Sequence, residues 1–239
     1  MGTENDVFEK LVSAHGEYVS GAQLADSLHV SRAAVWKAIR SLREAGYDIA
    51  SKKHVGYSLT LPDPGDLPAV DAESLEELCA ERGVRFIKLE SIPSTNTYAL
   101  GLPTDGGRPT LIIADAQTDG KARHGKGFPS PKDRGLYMTY LVHPAVREVS
   151  LHRLTILSAE LTARAVGGTA AEQEVYADGR KVAGVLAEST SDTDGVTAVA
   201  IGIGIYTDRT QKQNGQIVAK ILDGLQAMCE KLFGQKPER

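Results

Sequence analysis

The apolar residues of the first sixty positions follow a helical spacing three times in succession. A first helix is predicted around Leu11, Ser20 is placed to cap a second helix over residues 20–28, and Ser31 to cap a third over residues 32–45. Two short extended segments follow and are joined by a basic turn. Three helices followed by a β-hairpin are the elements of a winged helix-turn-helix domain.

The third predicted helix has two chemically different faces. Val35, Ile39 and Leu42 form its apolar face, and Trp36 is expected to pack rather than to stack on bases. Residues 29–54 contain six lysine or arginine residues and two acidic ones, whereas the whole chain has a net charge of −4. Such a local basic surface predicts DNA binding, and the alternative is a solvated basic face on an ordinary three-helix domain. The side chains expected at base edges are Arg32, Ala33 and Lys37, and those expected at phosphates are Arg40, Arg43, Lys52 and Lys53.

The hydrophobic pattern changes after residue 61. Residues 62–70 are rich in proline and are predicted to link a first domain, residues 1–61, to a second domain, residues 71–239. In the second domain, helical spacing alternates with short apolar runs, and Asp178-Gly179 indicates a hairpin. The predicted fold is α+β around a mainly antiparallel sheet. The predicted helices cover residues 71–82, 151–166 and 217–233, and the predicted strands cover residues 84–89, 111–114, 135–143, 175–177, 181–188 and 196–205.

Residues 114–136 are glycine-rich and basic, and they follow an apolar run that reads as a buried strand. Glycines let a backbone approach a ligand closely, and cations suit a phosphate or a carboxylate; the alternative is a solvated loop. The segment approaches a P-loop pattern, but Gly127 stands where that pattern needs a hydroxyl group, which excludes a P-loop. Lys181 is interpreted either as a desolvated lysine that faces an anion or as an ordinary surface lysine.

Composition excludes several classes of protein. Cys79 and Cys229 lack a metal-type spacing, so buried thiols are expected and no metal site is predicted. No apolar run approaches the ~20 residues that a membrane span needs, and the acidic N-terminus lacks the apolar core of a signal peptide. We therefore expect a cytoplasmic protein without a membrane partner. Spacing and composition alone indicate a DNA-binding protein with an anion-binding effector domain.

Several short motifs, taken in their order along the chain, resemble one family. They are SRAAVWKAIRSLREAGYDI and VGYSL in the first domain, and Ser94-Thr95-Asn96, ADAQTDGKARHG, DGRKVAGVLAE and AIGIGI in the second. In these motifs the chain is similar to the bifunctional biotin–protein ligase and biotin operon repressor family. The resemblance implies that the second domain is a class II synthetase-like mixed sheet with helices. It also implies biotin or biotinoyl-AMP as the ligand, with ATP and magnesium if the ligase is active. The implied partners are operator DNA, a biotin carboxyl carrier protein and a second copy of the chain in a homodimer.

The same resemblance implies roles for individual residues. Lys181 and Arg123 would be catalytic, because they match the family residues that contact the biotin carboxylate and the adenylate phosphate. The residues that would bind the ligand are Ser94, Thr95, Asn96, Gln117, Gly120, Lys121, Phe128, Gly184 and Gly202. Among these, Gly184 and Gly202 are expected to let the backbone close on the ligand.

The chain departs from the family pattern mainly where the family binds ATP. The family's Lys-Trp-Pro-Asn-Asp segment is either replaced by residues 170–174, with Glu174 in place of the aspartate, or deleted together with its strand. The family's C-terminal SH3-like barrel is expected to be absent, since the sequence ends at Arg239 just past a helix. Single-residue departures in the site motifs are Lys121, Ala122, His124, Phe128 and Tyr206.

These departures leave three hypotheses for the function. In the first, the chain is a biotin-responsive transcriptional repressor of biotin genes, built on a ligase scaffold whose ligase activity is weak or lost. In the second, it is an active bifunctional ligase and repressor that forms biotinoyl-adenylate and transfers biotin to a carrier-protein lysine. In the third, it is a shortened form of an ordinary ligase. An assay of biotin transfer separates the first two.

Overall fold

The computed structural model describes residues 3–14, 16–44, 47–59, 75–104, 106–123, 126–132, 134–206 and 211–234. Its first part is a three-helix unit followed by a two-stranded antiparallel wing. The elements are α1 (Thr3–Ser13), α2 (Gly21–Leu28), α3 (Arg32–Glu44), β1 (Ile49–Lys52) and β2 (Gly56–Leu59). The predicted winged helix-turn-helix is therefore confirmed. The wing strand β1 begins two residues later than the extended segment predicted from residue 47.

Capping and packing explain why these helices form where they do. The Ser20 side chain accepts a hydrogen bond from the amide of Gln23, which completes a reciprocal capping box, and Ser31 accepts one from the amide of Ala34 at 3.1 Å. The apolar face of α3 is buried as predicted. Trp36 is 57% exposed, so the prediction that it packs inside the domain is wrong. Its position is about 100° around the helix from the buried face, since it directly follows Val35.

The second part contains one seven-stranded sheet with helices on both faces. The strand order is β3-β4-β5-β9-β8-β7-β6, and every neighbouring pair is antiparallel except β3 and β4. This confirms the predicted α+β fold with a mainly antiparallel sheet. The elements are α4 (Leu75–Glu81), β3 (Arg85–Ile92), α5 (Thr95–Leu100), β4 (Thr110–Gln117), β5 (Gly135–Val142), α6 (Leu151–Val166), β6 (Thr169–Ala171), β7 (Glu174–Ala177), β8 (Arg180–Ser191), β9 (Val196–Tyr206) and α7 (Gln211–Phe233).

The sheet separates a large core from a small one, and the small one supports the candidate site. Helices α6 and α7 pack on one face of the sheet, where most of the buried apolar side chains lie. The short helix α5 packs on the other face, against β4, β5 and β9. Its small apolar cluster comprises Ala99, Ile112, Leu141, Ala198 and Ala200. Side chains along a strand alternate between the two faces of the sheet. Polar side chains of β4, β5 and β9 that point to this second face therefore lie next to α5.

Most predicted elements of the second part are observed, although the bounds of several differ from the predicted ones. Helix α6 has the predicted bounds, and the hairpin at Asp178-Gly179 has positive φ at both residues, 50° and 72°. Helix α7 begins at Gln211 rather than at residue 217, and β6 was not predicted. The predicted helix over residues 71–82 is observed from Leu75 to Glu81; residues 71–74 lie outside the described residues, and Arg82 lies in a turn after the helix.

The winged helix contacts the second part through α1 and α6. Arg153 of α6 forms an ion pair with Glu4 of α1, and its guanidinium lies 5.8 Å from the ring centroid of Phe8. His152 lies 2.7 Å from the carboxylate of Glu9. The predicted linker, residues 62–70, falls outside the described residues, so the domain boundaries stay a prediction. Within the described residues, no helix combines the length and apolar character that a bilayer crossing requires.

Candidate functional site

A cavity of about 250 Å³ lies over the second face of the sheet, next to α5. The segment between β4 and β5 covers it, and the tip of the β6–β7 hairpin closes one side. The cavity brings together residues that are distant in sequence, including every predicted ligand-binding and catalytic residue except Gly120. Those lining residues are Ser94, Thr95, Asn96, Gln117, Lys121, Arg123, Phe128, Lys181, Gly184 and Gly202. Their roles toward a ligand stay predictions.

The N-terminus of α5 forms the polar floor of the cavity. Ser94 caps this helix, and its hydroxyl lies 3.4 Å from the amide of Thr97. The Gln117 side-chain oxygen accepts hydrogen bonds from the Thr95 amide at 2.8 Å and from the Thr95 hydroxyl at 3.0 Å. The other end of the Gln117 amide donates to the Ser130 hydroxyl at 2.8 Å. The floor is therefore fixed by its own hydrogen bonds before any ligand arrives.

Asn96 is held from three sides. Its side-chain nitrogen donates to the Glu188 carboxylate at 2.8 Å, and its side-chain oxygen accepts from the Thr139 hydroxyl at 2.7 Å. A Cβ atom at Gly202 would lie 2.3 Å from that oxygen. Gly202 thus makes room for the Asn96 amide, and the expectation that it lets the backbone close on the ligand stays a prediction. Sequence reasoning missed Thr139 and Glu188, although a lone threonine inside the apolar run of β5 was a signal.

Phe128 closes the cavity from the loop side. Its ring is 8% exposed and is stacked on Tyr206, with ring centroids 5.1 Å apart and an interplanar angle of 7°. A Cβ atom at Gly204 would lie 2.2 Å from this ring, and one at Gly184 would lie 3.0 Å from it. Gly184 gives space to Phe128, and the expectation that it lets the backbone close on the ligand stays a prediction. The carbonyl oxygen of Gly120 accepts a hydrogen bond from the Phe128 amide at 2.7 Å.

The cations of the cavity already have acidic or polar partners in the chain. The Lys181 ammonium donates to the Glu174 carboxylate at 2.5 Å, and the Tyr176 hydroxyl donates to the other Glu174 oxygen. These hydrogen bonds, that from Lys181 first, lower the pKa of Glu174. The Lys181 side chain is 37% exposed, so the interpretation of Lys181 as a desolvated lysine is wrong. A surface lysine in an ion pair is what the structure contains.

Arg123 contacts the tip of the β6–β7 hairpin. Its guanidinium donates to the Gln173 side chain at 3.2 Å and lies 3.8 Å from the Glu172 carboxylate. Lys121, in the same loop, donates to the Thr97 hydroxyl at 3.0 Å. His124 and Gly125 lie outside the described residues. The loop is thus attached both to α5 and to the hairpin.

Residues 170–174 belong to the β6–β7 hairpin. They are the residues that would replace the family's Lys-Trp-Pro-Asn-Asp segment. Ala170 and Ala171 belong to β6, Glu172 has a positive φ of 52°, and Gln173 and Glu174 line the cavity. An amide and a carboxylate thus face the cavity from the turn of this hairpin and from the start of β7. In the described part of the chain, no group of three or more His, Cys, Asp or Glu residues is arranged to hold a metal ion.

The seven residues predicted to contact DNA are all exposed. Two of them also have partners within the chain. The Arg43 guanidinium donates twice to the Ile49 carbonyl oxygen, at 2.9 and 2.6 Å, and ties α3 to the wing. The Arg40 guanidinium donates to Glu44 at 2.8 Å. Contact of any of the seven with DNA stays a prediction.

Comparisons with known proteins match both parts of the chain. Residues 3–58 match an HTH domain family, and residues 89–206 match the biotin/lipoate A/B protein ligase family. The bifunctional ligase/repressor BirA of Bacillus spizizenii is 32% identical over 213 residues, which cover 85% of this chain and 65% of that protein. BirA of Escherichia coli K12 is 31% identical over 211 residues, which cover 84% and 64%. This chain thus spans about 65% of the length of such relatives.

A solved structure is also similar. The biotin protein ligase from Aquifex aeolicus in complex with biotin and ATP aligns with a TM-score of 0.49 and 22% identity, over 64% of this chain and 73% of that chain. The HTH match, the ligase-family match and the relatives fall on the same segments as the motifs along the sequence. The chain therefore has an N-terminal HTH domain ahead of a domain of the biotin/lipoate A/B protein ligase family.

Proposed function

We propose that this protein is a biotin-responsive transcriptional repressor of biotin genes, and that its ligase activity is weak or lost. The observation that carries the proposal is the cavity beside α5. It joins a hydrogen-bonding floor, built by Ser94, Asn96 and Gln117, to the cations Arg123 and Lys181. The same chain contains a basic winged helix, and its relatives are named bifunctional ligase/repressors.

The chemistry of the lining fits biotin or biotinoyl-AMP. A ureido ring needs hydrogen-bond donors and acceptors close together, which hydroxyl and amide side chains offer. A carboxylate or an adenylate phosphate needs cations, and Lys121, Arg123, Lys126 and Lys181 all line the cavity. The apolar part of the ligand would contact Phe128 and the glycine-rich strands. We infer that the ligand replaces the contacts that Lys181 and Arg123 now make with the hairpin.

Those same contacts favour weak catalysis over efficient catalysis. Adenylate formation is accelerated when cations are preorganised toward the reacting phosphate. Here Lys181 is engaged by Glu174, and Arg123 by Gln173 and Glu172. The cations must leave these partners before they can contact a phosphate, and each ~1.4 kcal/mol lost from the stabilisation of the transition state lowers the rate tenfold.

The second candidate is an active bifunctional ligase and repressor, and one observation favours it. Lys181, Arg123 and Glu174 line a single cavity, so both cations and a carboxylate remain at one place. In this candidate Arg123 and Lys181 would contact the phosphates of ATP, and Glu174 would be the carboxylate near magnesium, which would neutralise phosphate charge when bound. The biotin carboxylate would displace pyrophosphate from ATP, and a lysine of the carrier protein would then displace AMP.

The two candidates are separated by an assay of biotin transfer to a biotin carboxyl carrier protein with ATP and magnesium. If the chain is a repressor with weak or lost ligase activity, biotin or a stable biotinoyl-adenylate analogue should bind, as measured by calorimetry. Its turnover in the transfer assay should be at least about 100-fold below that of an active relative such as the Escherichia coli ligase. Efficient turnover that disappears in Lys181→Ala would establish the ligase candidate instead. The absence of binding heat with both ligands would show that the effector is a different molecule.

We further propose that the winged helix binds operator DNA and that a homodimer does so. Arg32, Ala33 and Lys37 are assigned to base edges and Lys52 and Lys53 to phosphates, since all are exposed on α3 or on the wing. Arg40 and Arg43 are also assigned to phosphates. They would bind them through the guanidinium N–H groups that are not engaged by Glu44 or by the Ile49 carbonyl. The chain first selects a duplex from a library of random DNA sequences, and Lys37→Ala is expected to bind this duplex more weakly than the wild type. Sedimentation measures whether the chain is a homodimer. Unchanged affinity in both Arg32→Ala and Lys37→Ala would contradict the assignment of α3.

A further inference from the structure

Trp36 is the most exposed of the large apolar side chains in the part of the chain that the structure describes. It is 57% exposed, and the next two, Tyr18 and Val55, are each 41% exposed. All three belong to the winged helix. A single exposed apolar residue is common on protein surfaces, so the surroundings of Trp36 decide whether its exposure has a use.

The surroundings of Trp36 are basic. Because it lies on α3, residues four positions before and after it, Arg32 and Arg40, are its neighbours along the helix surface. Lys37 follows it directly and is exposed as well. The Arg40 guanidinium lies 5.9 Å from the centroid of the indole ring, so one side of the ring faces a cation. An exposed aromatic ring with cations on either side is complementary to a partner that combines negative charge with apolar groups.

We propose that Trp36 is a DNA-contacting residue whose indole packs on the methyl group of a thymine in the major groove. The proposal rests on the DNA-binding function proposed above. In a helix–turn–helix, side chains from the first half of the recognition helix meet base edges, and Trp36 is the fifth residue of α3. Thymine alone presents a methyl group in that groove. Arg32 and Lys37 would lie beside the indole and contact the same base pairs or their phosphates.

The proposal distinguishes Trp36 from its basic neighbours by the salt dependence of binding. Each side chain that neutralises a phosphate adds about 0.9 to the slope of log affinity against log salt concentration. Trp36 has no charge, so its replacement lowers affinity at every salt concentration and leaves the slope unchanged. Replacement of Lys53, which is assigned to a phosphate, reduces the slope.

The test uses the full chain and a fluorescein-labelled duplex that the chain selects from a randomised 30-base-pair library. Trp36 is the only tryptophan in the sequence, so protein fluorescence reports on this residue alone. Saturation with unlabelled duplex is expected to change the intensity of the fluorescence and to shift its maximum. Trp36→Ala is expected to weaken binding at least about tenfold, since the variant lacks the large apolar side chain that the wild type removes from water on binding. Trp36→Phe, which keeps an aromatic ring, is expected to recover part of the loss.

A second measurement identifies the methyl group. Each thymine of the selected duplex is replaced in turn by uracil, which removes only that methyl group. One replacement is expected to weaken binding by the wild-type chain about threefold and to have no effect on Trp36→Ala. The absence of such a coupled position would overturn the assignment to a thymine.

Other outcomes overturn the proposal at different levels. If the wild-type chain binds the duplex but its fluorescence and the affinity of Trp36→Ala are unchanged, Trp36 does not contact DNA. If Trp36→Ala changes only the sedimentation of the chain, the indole is covered by a second copy. If the wild-type chain selects no duplex at all, the proposed DNA-binding function fails and this inference fails with it.

Discussion

At the scale of single residues, two glycines of β9 determine the shape of the candidate site. Gly202 and Gly204 are both interior to a strand, where glycine is otherwise unfavourable. Their missing side chains make room for Asn96 and for Phe128, respectively. The sequence pattern Ile-Gly-Ile-Gly-Ile indicated a close approach, but it did not reveal that the side chains of Asn96 and Phe128 are the groups that approach within the chain.

Gly204→Ala tests this packing. The added Cβ would lie 2.2 Å from the Phe128 ring, so the ring must leave its place against Tyr206. Overpacking of this kind is expected to lower the free energy of unfolding by about 1–3 kcal/mol and to weaken the binding of any ligand in the cavity. Chemical denaturation and calorimetry measure the two effects. Gly101→Ala is the control, since its Cβ would meet only ordinary contacts at 3.5 Å; equal stability of both variants would contradict this account.

Glu174 offers a second test at this scale. Its carboxylate engages Lys181, so Glu174→Gln frees the ammonium for an anionic ligand. Since the pair is partly exposed, affinity for a biotinoyl-adenylate analogue is expected to rise only about two- to fivefold. Glu77→Gln, on the exposed face of α4, makes the same change of charge outside the cavity and is expected to have no effect. A decrease in affinity in Glu174→Gln would mean that the carboxylate helps to bind the ligand.

The same ion pair has a defined pH dependence. The pKa of Glu174 is lowered chiefly by the hydrogen bond from Lys181. The ion pair therefore stabilises the folded chain at pH values above the ordinary pKa of a glutamate. This stabilisation is lost as the pH falls through the lowered pKa of Glu174. Glu174→Gln is thus expected to bind the ligand more tightly than the wild type near pH 7. This difference in affinity is expected to shrink in acid.

At the scale of elements, the sequence predicts what local chemistry specifies. Ser20 and Ser31 cap their helices, α6 has its predicted bounds, and the turn at Asp178-Gly179 adopts the positive φ values that its residues favour. Strand β6 could not be predicted, because only Thr169 of its three residues favours a strand and so short a segment becomes one only by pairing with β7. The exposure of Trp36 was missed since helical periodicity indicates an apolar face without excluding an apolar residue elsewhere.

Ser20→Ala tests whether local capping contributes to the winged helix. The substitution removes the hydrogen bond to the Gln23 amide at 3.1 Å and half of the capping box. A loss of about 1 kcal/mol in the free energy of unfolding of this part is expected. Far-ultraviolet circular dichroism in urea measures it. Ser51→Ala, at an exposed position of the wing, should change the free energy of unfolding by no more than about 0.5 kcal/mol. An equal loss in Ser20→Ala and Ser51→Ala would contradict a stabilising role of the Ser20 cap.

At the scale of the whole molecule, the winged helix is connected to the ligase-family domain by charged side chains. Glu4 accepts hydrogen bonds from Ser41 of α3, at 2.7 Å, and from Arg153 of α6. It therefore joins α3 to a helix that packs on the sheet. No sequence pattern predicts this contact, because Glu4 and Arg153 are separated by 149 residues and only the fold brings them together. The site residues were predictable for a different reason, namely that their motifs resemble a family.

The Glu4 contact predicts how acid affects the molecule. Burial acts to raise the pKa of Glu4, but the hydrogen bonds from Ser41 and Arg153 together outweigh it, so the pKa is lowered. The contact is expected to stabilise the chain above the ordinary pKa of a glutamate and to weaken as the pH falls through the lowered value. Glu4→Gln should therefore lower the free energy of unfolding by about 1 kcal/mol at pH 7, a small amount because Glu4 is partly exposed.

Thermal unfolding between pH 3 and pH 7 measures this dependence. The difference between the wild type and Glu4→Gln should shrink as the pH falls, because the wild-type carboxylate becomes protonated and loses its advantage over the neutral glutamine. Glu17→Gln, which removes an exposed carboxylate from the same part of the chain, should follow the wild type at every pH. A difference that is constant with pH would show that Glu4 acts by packing alone. The charged contact would then have no part in holding α3 to the ligase-family domain.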